Sequence, residues 1–165
     1  MHVMLYRQVG AGYHQLPVWL NEGIATLAEI NPNADYERVL LAASSRNTLI
    51  PLADLCASFP ADSAQAFLAY AEARSFTNYL HGLYGSDGLL NLANSYADGV
   101  DCEHGTERTF SVPLAKLERD WRKTLSGETN IISDLGRFAP YMVLLCLVIF
   151  FPMIGILNSM RKKGN

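Results

Sequence analysis

The sequence has no Cys-x-x-Cys pair, no glycine-rich phosphate loop, no internal repeat and no run with the strict alternation of a half-buried strand. The first absence leaves a cysteine-based zinc site without ligands. The second removes the common nucleotide cradle. The last leaves helices as the regular element, so the fold class expected is mainly α. Charge is also scarce: 13 Lys and Arg stand against 16 Asp and Glu in 165 residues, a net charge of −3. So mild an acidity does not carry the basic footprint of a nucleic-acid binder, and nucleic acid is not expected as a partner. Residues 1–10 lack the basic-then-apolar order of a signal peptide. Of three cysteines, Cys146 lies in an apolar run and Cys56 and Cys102 lie well before it. Those two are open to pairing on an oxidising side of a membrane or to standing as free thiols, and spacing does not choose between them.

What is present is hydrophobic and unevenly placed. Half of the residues are apolar, and Phe138 to Met160 is a run of 23 residues without a charge. About 20 apolar residues span the hydrocarbon of a bilayer. A buried core helix is the other reading of such a run, but it is usually shorter and carries a polar stripe. A transmembrane helix over 138–160 is therefore expected, with the bilayer as a partner. Pro140 falls in its first turn; Pro152 and Gly155 fall inside and predict a kink. Arg161, Lys162 and Lys163 follow at once, while Arg137 alone flanks the other end. The positive-inside rule then puts the basic tail, 161–165, in the cytoplasm and the preceding domain outside it, as a single-pass protein.

In that domain the stretch from Pro17 to Thr26 organises the chain. Pro17 suits a helix start, where its missing N–H costs nothing. Trp19, Leu20, Ile24 and Leu27 recur at helical spacing. Asn21 and Glu22 interrupt this apolar run. A carboxylate so placed is either solvated near the positive end of the helix or directed at a cation.

Trp19-Leu20-Asn21-Glu22-Gly23, followed by Ile24-Ala25, resembles the second zinc motif of the gluzincin metallopeptidases. It is similar to their aminopeptidase-type branch and to the peptidase MA-like domains. In those families the motif Glu is the third zinc ligand. The first two are the histidines of an upstream H-E-x-x-H helix, whose Glu is the general base. His2 precedes Glu22 by 20 positions and leads into Val3-Met4-Leu5-Tyr6. The resemblance therefore implies that His2 is the second motif His and that His2 and Glu22 are zinc ligands. The first His and the catalytic Glu would precede Met1, so the chain is expected to be a fragment of the C-terminal, helical part of a gluzincin-type domain. It also implies zinc as cofactor and a peptide or protein as substrate.

Around this stretch the chain reads as a series of helices. Residues 2–9 form the tail of one, stopped at Gly10-Ala11-Gly12. His14 lies in the following loop, near the site or merely exposed. The helix from Pro17 is expected to reach Ile30, with Asn31-Pro32-Asn33 as its stop, which would put Glu29 on the face of Glu22. Asp35 begins a short helix with Tyr36, Val39 and Leu40 as its apolar face. Leu49 to Pro60 is an apolar connector with one helical turn. The longest segment is 61–84, capped by Asp62 or Ser63 and ended by Gly85. Its buried stripe is expected to include Phe67, Tyr70, Phe76, Leu80 and Leu83. Here Tyr70 resembles the family tyrosine that donates its hydroxyl to the oxyanion of the reaction, a catalytic role; as a helix-face aromatic it is equally a core residue. A further helix runs from Ser86 or Asp87 to Tyr96, and one short helix falls within 101–109, with His104 exposed. The last, 114–125, carries Leu114, Leu117 and Trp121 and an i,i+4 pair of Glu118 and Arg122.

The expected organisation is thus a peptidase MA-like domain over 1–125, a juxtamembrane linker over 126–137, the span and the tail. The function implied is that of a membrane-anchored zinc metallopeptidase, inactive as the chain stands for want of the first His and the base. The alternatives are a non-catalytic, membrane-tethered domain that binds peptide or protein, and a membrane-bound structural subunit without peptidase ancestry.

Overall fold

The computed structural model of the chain describes residues 2–31 and 33–126. The expected membrane span 138–160, the tail 161–165 and the linker from 127 onward lie outside those residues. Among the described residues there is no strand, and no helix is long and apolar enough to cross a membrane. The mainly α expectation holds for this part of the chain.

Among the described residues six α-helices follow in order: α1 (His2–Val9), α2 (Val18–Leu27), α3 (Asp35–Ser45), α4 (Ser63–Ala97), α5 (Gly105–Phe110) and α6 (Leu114–Leu125). Short 3-10 helices occupy Gly10–Gln15 and Leu52–Leu55. The long α4 is the spine. Asp62 caps it by accepting from the backbone N–H groups of Ala64 and Gln65 at 3.1 and 3.0 Å. It breaks where the sequence predicts: Gly85 sits at φ 70°, a conformation open to glycine, and divides the element into 63–84 and 86–97.

α2 lies along α4, and an aromatic column joins the two to α6. Trp19 meets Phe76 edge-on at 5.1 Å and Tyr96 at 6.4 Å, and Phe76 meets Trp121 at 5.6 Å. All four rings are buried, and each edge-on pair adds stabilisation beyond its apolar area. The Trp121 indole N–H donates to Ser75 Oγ at 3.1 Å. Close approach of α2 to α4 requires Gly23: a Cβ there would press on Thr77 Oγ1 and lie 2.6 Å from the Ala73 carbonyl oxygen.

Two expectations change. α2 ends at Leu27, not Ile30, and Arg74 of α4 reaches across to donate to the Thr26 carbonyl at that end. Glu29 and Ile30 then fall past the helix and are exposed, Ile30 by 95%. Leu83 is also outside the core at 53% exposure, and Phe67 and Tyr70 are half-buried. The cysteine alternative resolves to pairing: Cys56 and Cys102 form a disulfide with Cα atoms 6.0 Å apart. It ties the connector before α4 to the loop before α5. The Cys56 carbonyl accepts from Val18 N–H at 2.9 Å, and the Trp19 indole N–H points at Cys102 Sγ at 3.4 Å. The disulfide thus sits against the first turn of α2.

Candidate metal centre

The first turn of α2 fixes the site. Pro17, at φ −55° and ψ 140°, enters the helix as its N-cap and accepts from Leu20 and Asn21 N–H. With Trp19 and Leu20 directed into the core and Gly23 against α4, the helical period leaves Asn21 and Glu22 half-exposed.

α1 brings His2 to that same surface. Its Nε2 lies 3.9 Å from Glu22 Oε2. Its Nδ1 is 3.1 Å from Asn21 Oδ1 and 3.1 Å from the Tyr13 hydroxyl, which itself donates to Asn21 Oδ1 at 2.9 Å. Asn21 Oδ1 pairs with the tautomer that carries the proton on Nδ1, and in that tautomer Nε2 is free to meet a metal beside the Glu22 carboxylate. That is the arrangement of a metal-binding histidine whose far nitrogen is anchored by a hydrogen bond. Two such donors on one tetrahedral zinc stand roughly 3.3 Å apart, so closing the gap by about 0.6 Å would let both bind.

The two residues expected as ligands are therefore brought together. Tyr70, on α4, stands edge-on to Phe59 with ring centroids 4.9 Å apart. Burial pushes its hydroxyl up, and the negative charge of Glu22 pushes it further. The hydroxyl thus lies within electrostatic reach of the Glu22 carboxylate and stays protonated, a donor, at neutral pH. Burial likewise raises Tyr36, which also feels Glu29, Tyr70 and Arg74.

Other candidates separate from this centre. His14 is exposed and donates from Nδ1 to its own turn, at the Ala11 carbonyl, at 2.7 Å. His104 is exposed and pairs with Asp101 at 2.8 Å, which raises the imidazole and lowers the carboxyl. Glu29 is beyond the end of α2. Among the described residues no three His, Cys, Asp or Glu side chains gather to hold a metal ion. A catalytic zinc takes three protein ligands. His2 and Glu22 fit as two of them, and the described residues do not complete the set.

A family model described as the peptidase MA superfamily matches residues 1–127. The chain belongs to the peptidase MA superfamily. No curated protein and no solved structure matches it. The superfamily is one of metallopeptidases, generally zinc-dependent, and the match covers every helix described above.

Reading the sequence missed Tyr13 and the contact made by Asn21. Asn21 carried a signal, as a polar residue in an apolar run immediately before Glu22. Tyr13 carried none, because its approach to His2 depends on how the 3-10 turn folds back.

Proposed function

We propose that this peptidase MA superfamily chain is the ligand-bearing helical part of a membrane-anchored zinc metallopeptidase similar to the aminopeptidase-type branch. Peptide or protein would be its substrate. The observation that carries the reading is the convergence of His2 Nε2 on Glu22 Oε2 with Nδ1 already engaged. In this reading His2 and Glu22 hold the metal, and Tyr70 donates its hydroxyl to the oxygen that gains charge as the substrate carbonyl is attacked. Zinc held there would supply a Lewis acid and a water acidic enough to ionise near neutral pH. The third ligand and the general base are assigned to the residues that precede the second His in the family motif. No step through the metal is derived from two ligands alone.

The uncharged run 138–160 and the basic residues after it support an anchor with the domain outside the cytoplasm. The Cys56–Cys102 disulfide supports an oxidising side for the domain. The chain 1–165 alone is expected to bind zinc weakly and to leave peptides uncut.

The test begins with the codons in frame immediately before Met1. His-Glu-x there would complete the motif as His-Glu-x-Met1-His2. The protein expressed with those residues is then expected to hold one zinc, lost in His2→Ala and in Glu22→Gln. A completed motif without zinc, or zinc retained in both variants, would refute the assignment. The two-ligand count favours one other reading, a tethered domain that holds peptide without cutting it. Unrelated codons before Met1 would leave that reading in its place.

A further inference from the structure

We propose that the cavity between α3, α4 and α6 binds a carboxylate carried on an aliphatic stem by a peptide, with the Arg74 guanidinium as its counter-charge. Calling that peptide a substrate rests on the metallopeptidase reading; the binding site itself rests on the cavity and its donors.

The cavity has a volume of about 450 Å³, the size of a pocket for a small ligand or for one or two side chains. Leu40 on α3, Ala71 on α4 and Leu125 on α6 give it aliphatic walls. Its polar lining is rich in donors. Arg74 gives an Nη1–H to the Thr26 carbonyl and has further N–H groups to offer. No ion pair among the described residues includes Arg74. Ser75 Oγ accepts from the Trp121 indole N–H, which leaves the Ser75 proton to donate. Tyr36 adds a hydroxyl that burial keeps protonated, and Asn78 adds a carboxamide N–H. Donors gathered around a cation suit an anion that only accepts, and the planar guanidinium matches a carboxylate. The opposing charges are Glu37 on the cavity rim and Glu29 past the end of α2. Both are exposed and screened by water, whereas Arg74 is half-buried, so the guanidinium sets the field inside.

The cavity lies within a short peptide's reach of the candidate metal centre. Tyr70 precedes Arg74 by one turn of α4, as Glu22 precedes Thr26 by one turn of α2. The Tyr36 hydroxyl feels the charge of Arg74 and the presence of Tyr70, and Tyr70 feels Glu22. Four residues of helix advance about 6 Å along the axis, and an extended peptide advances about 3.4 Å per residue. A peptide that meets Tyr70 with a backbone carbonyl thus brings the residue two positions along to Arg74. The carboxylate presented there is an acidic side chain or the C-terminus of the peptide itself.

The experiment is calorimetric titration of the metal-free full chain with three acetylated tripeptides: Ala-Ala-Leu with a free C-terminus, the same peptide as its amide, and Ala-Glu-Ala amide. A carboxylate peptide is expected to bind roughly tenfold tighter than the neutral amide, and which of the two does so identifies the source of the carboxylate. Arg74→Gln is expected to abolish that preference. Because Arg74 also meets the end of α2, two exposed positions on the cavity lining provide variants that leave this contact alone. Glu37→Gln removes a competing charge and is expected to tighten the carboxylate peptide about threefold; Leu41→Asp adds one and is expected to weaken it about as much. Neither should move the neutral amide. Carboxylate peptides that bind no better than the amide, or a preference that Glu37→Gln and Leu41→Asp both leave unchanged, would overturn the proposal. The titration contains no metal, so a completed protein without zinc leaves a peptide-binding cavity standing, and a lost carboxylate preference leaves the zinc assignment to its own test.

Discussion

Replacing Glu72 by glutamine should remove a pH dependence that the fold carries in its core. Glu72 is fully buried on α4. Its Oε1 accepts from Ile50 N–H at 2.9 Å, and its Oε2 has no hydrogen-bond partner. The nearby Arg122 is engaged elsewhere: its Nη2 donates to Glu118 Oε1 at 2.6 Å and to the Ile50 carbonyl at 3.1 Å. Burial therefore dominates and lifts the Glu72 carboxyl to about 7, against a pull downward from Ile50 N–H and Arg122 and a push upward from Glu118. An unfolded chain releases this proton near 4.5. Between the two values the folded chain holds a proton that the unfolded chain has lost. The associated stability is fully present below about 4.5 and is lost as pH rises through about 7. The loss is about 3 kcal/mol.

Glu72→Gln keeps the shape and the acceptor for Ile50 N–H but does not ionise. Urea unfolding of both proteins at pH 5 and pH 8 is the assay. The variant should gain on wild type by about 2.5 kcal/mol between the two conditions. Exposed pairs that also titrate, such as Asp101 with His104, are common to both proteins and cancel. A stability difference that is the same at both pH values would refute the reasoning. So would a variant that loses ground as pH rises, since the attraction of Arg122 would then outweigh the cost of burial.

Three further outcomes follow from named contacts. Gly23→Ala should cost about 1–3 kcal/mol by forcing α2 off α4, read as a lowered thermal midpoint. Adding Thr77→Ala should restore only part, because the Ala73 carbonyl still blocks the new methyl. Reducing the Cys56–Cys102 disulfide, which spans 46 positions, should cost about 4 kcal/mol by freeing the unfolded chain. An unchanged urea midpoint in reductant would contradict this. In a zinc-loaded, complete protein, Tyr70→Phe should lower kcat about 10²-fold with metal content and KM nearly unchanged, as expected for a donor to the oxyanion. An unchanged kcat would return Tyr70 to the core.

The elements legible in the sequence are those set by local chemistry. The span of α6, the Asp62 cap and the break at Gly85 each depend on a few consecutive residues, and each lies where the sequence places it. The end of α2 does not. The local stop, Asn31-Pro32-Asn33, lies past the observed end at Leu27, and the side chain that meets that end, Arg74 on the Thr26 carbonyl, comes from 48 positions away. The burial of Glu72 was hidden for a similar reason. A carboxylate on a helix reads as a solvated face, and the N–H that it serves belongs to Ile50, 22 positions earlier. Pairing of the cysteines likewise depends on two loops that meet only after folding.

The candidate metal centre divides along the same line. His2 and Glu22 could be named because the motif they resemble has characteristic residue types and spacing along the chain. Their alignment is set elsewhere. α2 is held at its start by the Cys56 carbonyl on Val18 N–H, in its middle by the absence of a side chain on Gly23, and at its end by Arg74. These three fixings rotate the helix so that Asn21 and Glu22, not Trp19 and Leu20, meet His2. A one-residue rotation of α2, about 100°, would carry Glu22 away from the imidazole while leaving the motif intact. The motif therefore supplies the donors, and distant packing decides whether they converge. This is why a site expressed without α4, or with Gly23 substituted, should lose its geometry before it loses any ligand.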